Sequence, residues 1–306
     1  MPLASIIITV YKRTTFLREC VLSVLSQKGM DRNDLEIIIV SNTNVSSYDL
    51  SVDQIIYTED RSIGKKLLLG INASHSEILF LLEDDDYFFP KKIKTILPFF
   101  TDANVGYVHN NVEVANDGKV FTETVERIDP SWLDHQCFIK FSKRFWHYAG
   151  NMSSIAVRKD SLDMEVIEHI YLLPDIVIFP SILLMGINCV QVNVPLTFYR
   201  KHDANTTSSL YREDLAKYTL EEGQFWLEHV SGKSVNLEKQ ARALLLKRSF
   251  PFLLGYLKLS RSENCFNIDR GNFKVKDLFT LFEYEMATNF ISADIFFGIR
   301  QVLLRS

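Results

Sequence analysis

The chain is poor in cysteine, has no excess of positive charge and contains no long apolar run. Its four cysteines, Cys20, Cys137, Cys189 and Cys265, are far apart and form no Cys-x-x-Cys pair. That spacing argues against a disulfide framework and for reduced, mostly buried thiols of an intracellular protein. Lysine and arginine number 34 against 38 acids, a formal net charge of −4, so no global basic field recruits nucleic acid. No run of roughly 18 apolar residues is present, which argues against a spanning helix. The opening MPLASIIITVYKR has a short apolar run with no basic segment before it. It reads as a first strand rather than a signal peptide. No glycine-rich phosphate loop follows: TVYKRTT lacks glycine, which counts against a nucleotidyltransferase.

What is present is patterned. With 306 residues, 47% of them hydrophobic, the chain can bury one large core or two small ones. SIIITV (5–10) and LEIIIV (35–40) are short and β-branched, as strands buried on both faces are. QIIYT (54–58) is a weaker third strand and EILFLL (77–82) a fourth. TTFLRECVLSVLSQ (14–27) sets Phe16, Leu17, Cys20, Val21, Val24 and Leu25 at helical spacing, with Thr14 or Thr15 as cap. SIGKKLLLGINAS (62–74) reads as a second helix, despite Gly70. Strands alternating with helices predict an α/β, doubly wound, mostly parallel sheet, whose ligands sit beyond the carboxyl ends of the strands. Tyr11 to Arg13, Ser41 to Thr43 and the acids at 83–86 all follow such ends.

Further along, PKKIKTILPFF (90–100) is a short helix. VGYVHNNVEVA and KVFTETV, joined by the turn Asp117–Gly118, predict a β-hairpin. NMSSIAVRKD (151–160) reads as a strand ending in a turn, LPDIVIFPSILLMG (173–186) as an apolar helix, and INCVQVNVPLTFYRKH (187–202) as a final strand pair. Residues 210–250 have a helical pattern.

The most informative stretch is EILFLLEDDDYFFPKK (77–92). A buried strand runs straight into Glu83, Asp84, Asp85 and Asp86. Four adjacent carboxylates repel one another, and a cation relieves the repulsion. Hard oxygen donors select Mg²⁺, Mn²⁺ or Ca²⁺, and the first two commonly bind together with phosphate oxygens. The bland alternative is a solvated acidic turn, but the run stands on the ligand edge of the sheet.

The chain resembles a family 2 glycosyltransferase of the GT-A fold. The resemblance is carried by SIIITVYKR, IIIVSNT, IGKKLLLGINAS, LLEDDDYFFPKKI, GNMSSIAVRKD, PDIVIFPSILLMG and PLTFYRKHDANTTS, over roughly residues 3–210. It implies a Rossmann-like catalytic domain at 1–210, with a nucleotide-sugar-binding half (1–110) and an acceptor half (111–210). A helical C-terminal region, 211–306, follows. It implies a nucleoside-diphosphate sugar as donor, a glycan or lipid-linked acceptor, Mn²⁺ or Mg²⁺ as cofactor, and transfer with inversion. Residue by residue, Glu83 and Asp85 fall on the acids of the metal-holding motif. Asp86 supports that loop and Asp84 reaches the ribose. Thr9 and Tyr11 line the nucleoside, Asp175 falls on the general base, and His202 is a candidate metal ligand. Arg13, Lys65 and Arg200 are candidate donor contacts, with Lys201 beside the last, and Glu165 and Glu168 are fallback bases.

Four positions depart from that pattern. Asn42 stands where an Asp commonly contacts the base, and an amide can still bond a base edge. Leu67 and Leu68 replace an Arg-Asn pair, leaving Lys65, Lys66 or Arg61 to supply the cation. Glu83 replaces an Asp, and Pro174 replaces an acid. A module that binds nucleotide-sugar or glycan without turnover is therefore the rival reading. Trp132, Phe145, Trp146 and Tyr148 sit where acceptor loops occur, although core packing explains them equally well. Residues 244–260 and the terminal IFFGIRQVLLRS mix basic and bulky apolar side chains. They fit either a peripheral contact of a cytoplasmic protein with an anionic membrane, or packing on the catalytic domain or on a second copy of the chain.

Overall fold

A computed structural model describes residues 1–11, 14–45, 50–114, 122–201 and 213–245. The chain divides into two compact units, one of residues 1–132 and 146–203, the other of 133–145 and 204–306.

The first unit is built on a sheet that has nine strands among the described residues. They are β1 (Ala4–Val10), β2 (Leu35–Ser41), β3 (Gln54–Tyr57), β4 (Ile78–Glu83), β5 (Tyr87–Phe88), β6 (Val105–Val114), β7 (Val125–Ile128), β8 (Ile155–Arg158) and β9 (Asn188–Tyr199). The order is β3-β2-β1-β4-β8-β6-β9-β5, with β7 also on β9. The first four strands of that order run parallel, and β8 is antiparallel to both of its neighbours. The helices are α1 (Leu17–Leu25), α2 (Ile63–Ala73), α3 (Lys92–Ile96), α4 (Phe138–Ala149), α5 (Met164–Glu168), α6 (Pro174–Leu184) and, in the second unit, α7 (Glu213–Val230).

Every residue of β1 and β2 is buried, which is why their sequences show no polar alternation. Side chains alternate between the two faces of a strand. Ile6, Ile8, Ile37 and Ile39 accordingly join Leu17, Val21 and Val24 of α1 in one core. Ile7 lies on the other face, under α2: a Cβ on Gly70 would stand 2.5 Å from Ile7 Cγ2. Gly70, a weak residue for a helix interior, lets α2 lie close on the sheet. Ser62 starts α2 by accepting the Lys65 backbone N–H at 3.2 Å.

Three expectations fail. α1 starts later than expected, at Leu17, and its N-cap position, Phe16, makes no side-chain cap; Thr14 contributes its backbone carbonyl to the Leu17 N–H instead. The hairpin between 105 and 125 is not formed among the described residues. The middle of β6 already has β8 on one edge and β9 on the other, and β7 pairs antiparallel with β9. The turn Asp117–Gly118 lies outside the described residues. The expected final strand pair is one strand of 12 residues, carrying β6 on one edge and β7 and then β5 on the other.

In the second unit, Asn236 donates to the Leu133 and Gln136 carbonyls at 3.0 and 2.9 Å. These bonds tie the start of a helical run at 235–245 to the segment 133–145. No described helix is long and apolar enough to cross a membrane.

Candidate active site

The register of the parallel strands aligns their ends. Thr9 pairs with Glu83 on one side and with Val40 on the other. Past that line the chain turns sharply, the Asp86 N–H reaching the Glu83 carbonyl at 3.3 Å, and β5 then joins β9. Glu83, Asp85 and Asp86 each present a carboxylate oxygen, all within 4.8 Å of one another. Asp85 and Asp86 are buried, and Glu83 keeps some exposure.

At such distances two charges repel by about 3.5 kcal/mol at an effective dielectric constant near 20. Glu83 and Asp86 respond by binding their protons more tightly. Burial, then the charges of Asp85, Asp86, Asp175 and Asp84, push the Glu83 carboxyl well above its usual range. Burial and the neighbouring Asp85 push Asp86 up to about 6, against hydrogen bonds from Arg200, Ser153 and Asn151 that favour its charged form. A compact set of hard carboxylate oxygens whose mutual repulsion raises two of them suits a divalent cation such as Mn²⁺ or Mg²⁺.

This arrangement has a measurable consequence. Asp86 binds its proton more tightly folded than unfolded, so its contribution to stability is greatest at low pH. It is lost as pH rises from about 4 through about 6, and Glu83 acts in the same direction. A bound cation removes that penalty. Mn²⁺ is therefore expected to raise Tm by several degrees more at pH 7.5 than at pH 5, read by differential scanning fluorimetry. An equal shift at both pH values would contradict the account.

The frame around the acids is polar and specific. Ser153 Oγ accepts the Glu83 N–H at 3.0 Å, and the Ser153 carbonyl accepts the buried Lys92 Nζ. Lys92 also donates to Thr197 Oγ1 at 2.7 Å and stands 4.0 Å over the Phe88 ring. The Arg200 N–H donates to Asp86 Oδ1 at 3.0 Å, its Nε to the Asp85 carbonyl at 3.1 Å and its Nη2 to Glu19 at 2.6 Å. Burial and the nearby acids push the Tyr199 hydroxyl up to about 12.

Asp175 stands in the first turn of α6, one residue after Pro174. The N-cap position is Leu173, so Asp175 is not the side-chain cap. Its carboxylate raises Glu83 and accepts the Asn151 backbone N–H at 3.3 Å, which brings it to the acid cluster. The fallback acids lie on α5, where Glu168 is exposed and paired with Lys65.

Thr9 is buried, while Tyr11 and Asn42 are half-buried at the strand ends. Lys65, named from the sequence as a donor contact, is turned outward to Glu168. Its neighbour Lys66 points inward, 1% exposed, with Nζ 4.9 Å from the Tyr11 ring centroid. Among the described residues that ammonium has no hydrogen-bond partner. Burial lowers its pKa to about 8, against the charges of Asp84 and Asp60. Trp132 and Tyr148 pack on Phe179 at 5.6 and 5.8 Å, and Phe145 is buried against Phe141. Arg13 and His202 lie outside the described residues. Sequence reasoning missed Asn151, Ser153, Lys92 and Tyr199. The polar run Asn151-Met-Ser-Ser at the mouth of a strand was the only signal for the first two.

A parallel half-sheet with an acid cluster at its carboxyl edge is the architecture of GT-A glycosyltransferases. Solved structures agree. The chain is similar to S. aureus TarS 1-349 in complex with UDP-GlcNAc, at 15% identity and a TM-score of 0.56, over 94% of this chain and 82% of that one. It is also similar to the mannosyltransferase PcManGT from Pyrobaculum calidifontis in complex with GDP-Man and Mn²⁺, at 13% identity and a TM-score of 0.53, over 94% and 74%. At such identities the likeness is one of fold. Family membership comes from sequence: Glycosyl transferase family 2 matches residues 5–167, more than half of the chain, and the protein belongs to that family. It is 24% identical over 165 residues to an uncharacterized glycosyltransferase of Haemophilus influenzae, covering 51% of this chain and 53% of that protein. The chain thus spans about half the length of that curated relative.

Proposed function

We propose that the protein is a divalent-metal-dependent, inverting glycosyltransferase that moves a sugar from a nucleoside-diphosphate sugar to an acceptor hydroxyl. The observation that carries this reading is the triad Glu83, Asp85 and Asp86, converging within 4.8 Å at the strand ends, with Asp175 linked to it through Asn151. The triad would hold Mn²⁺ or Mg²⁺, with Asp85 in direct contact and His202 as a further ligand. When bound, the ion supplies Lewis-acid neutralisation of the leaving diphosphate. Asp175 takes the proton of the acceptor hydroxyl as that oxygen attacks the anomeric carbon. A single displacement of this kind inverts the centre. Thr9, Tyr11 and Asn42 line the nucleoside, Asp84 reaches the ribose, and Arg13 and Arg200 serve the donor's charged end. A carbonyl- or phosphate-bearing donor gives the buried Lys66 ammonium its missing acceptor, in place of the absent Arg-Asn pair. Residues 1–210 serve as the catalytic domain, and the acceptor is a glycan or a lipid-linked sugar; residues 211–306 either pack on that domain or on a second copy of the chain, or meet an anionic membrane surface.

The test is a panel of nucleotide-sugars with mixed acceptors and Mn²⁺, followed by released nucleoside diphosphate and by the anomeric coupling of the product. Mn²⁺-dependent release with an inverted product is expected. Retention of configuration would overturn the mechanism, and tight donor binding without release would make the protein a binding module. Within this reading, Lys66→Met keeps the length and removes the charge. It is expected to raise the donor KM about tenfold, the scale of a charged hydrogen bond, with kcat within about threefold. An unchanged KM would remove Lys66 from the donor site.

A further inference from the structure

We propose that Asn151 is a positioning residue that fixes the metal-holding Asp86 and the base Asp175 relative to each other; this rests on the reading of the site given above. Asn151 has φ 74 and ψ 110 and is the one non-glycine with positive φ among the described residues. Such a conformation costs on the order of 1–3 kcal/mol and persists only where its surroundings enforce it. Glycine would adopt it freely, and the residue just before is glycine. The asparagine at 151 is explained by what its side chain and backbone hold.

Its Nδ2 donates to Asp86 Oδ2 at 3.1 Å. Its Oδ1 accepts from Ser154 Oγ at 3.3 Å, which sets the orientation of the amide. Its backbone N–H donates to Asp175 Oδ2 at 3.3 Å. One residue thus bonds a carboxylate oxygen of each acid, so their separation is set by the dimensions of a single asparagine. The other oxygen of Asp86 takes the Arg200 N–H, so the carboxylate cannot rotate without losing a bond. The segment is itself anchored. The Gly150 carbonyl receives the proton on His109 Nε2 at 2.7 Å, and His109 is a buried ring whose Nδ1 faces the Gln191 amide. Ser153, two residues on, holds the Glu83 N–H. Residues 150–154 therefore gather Glu83 and Asp86, from the end of β4 and the turn after it, with Asp175 from α6.

Asn151→Gly separates this role from a structural one. The variant keeps the backbone N–H to Asp175 and relaxes the backbone, so its Tm is expected to equal or exceed that of the wild type. It loses the bond to Asp86. Outer-shell partners of metal ligands are worth about 10–100-fold in affinity or activity. The Mn²⁺ dissociation constant, measured by calorimetry with Mn²⁺ alone, is therefore expected to rise at least about tenfold. kcat is expected to fall by a similar factor, with acceptor KM little changed. Unaltered Mn²⁺ binding and kcat in Asn151→Gly, beside a Mn²⁺-responsive wild type, would overturn this inference alone. A lowered Tm that accounts for the whole loss would also overturn it. A wild type that binds no Mn²⁺ would overturn both the inference and the reading of the site beneath it.

Discussion

Asp85→Asn is expected to lower kcat/KM for donor turnover about a thousandfold while leaving the folded protein as stable or more so. The two effects have one cause. Asp85 is buried among like charges, and its charge is among those pushing Glu83 and Asp86 upward. An isosteric amide removes two of the three pairwise repulsions, so the metal-free protein gains. The same amide removes a charge that would hold the cation. Electrophilic assistance to a leaving diphosphate is worth several kcal/mol, and about 4 kcal/mol corresponds to a thousandfold in rate. The signature is threefold: turnover lost, metal-free Tm equal or raised, and the Mn²⁺-induced rise in Tm abolished. Turnover within about tenfold of wild type would remove Asp85 from the metal site.

Asp175→Asn is expected to reduce kcat by about a thousandfold with donor KM and Mn²⁺ binding changed less than about threefold. A positioned general base contributes typically 10²–10⁴, and an amide cannot take the proton. The amide oxygen can still accept the Asn151 N–H that Asp175 accepts, so the geometry of the cluster survives. Glu168→Gln is the control. Its carboxylate is exposed and engaged by Lys65, and it should turn over at close to the wild-type rate. If Asp175→Asn is mild and Glu168→Gln severe, the base lies on α5.

The parallel half of the sheet was legible because its strands are buried on both faces and therefore write themselves as runs such as Ile6-Ile7-Ile8. The acids at 83–86 were legible because nothing in a soluble core explains four carboxylates after EILFLL. The partners of β6, β7 and β9 were not. The sequence around Asp117–Gly118 favours a local hairpin, whereas the observed pairing depends on which edges are already taken by strands distant in sequence, His109 pairing with Ile155 and Val114 with Tyr199. Lys66 was within reach of sequence reasoning. It lies four residues before Gly70, on the stripe with Gly64, Leu67 and Ile71 that α2 buries, so its side chain turns inward where that of Lys65 cannot. For Asn151 the polar run at the mouth of a strand marked the place but not the role, because a positive φ and a bridge between two distant acids leave no mark in composition or spacing.

The missing side chain at Gly70 has an effect beyond α2. Any methyl there would meet Ile7 at 2.5 Å and lift the helix off β1. Lys66, one turn earlier on the same face, would be drawn back from the tyrosine that ends that strand. Under the proposed function, the reach of Lys66 toward the donor is thus calibrated by Gly70, a position packed against the sheet rather than turned to the cleft.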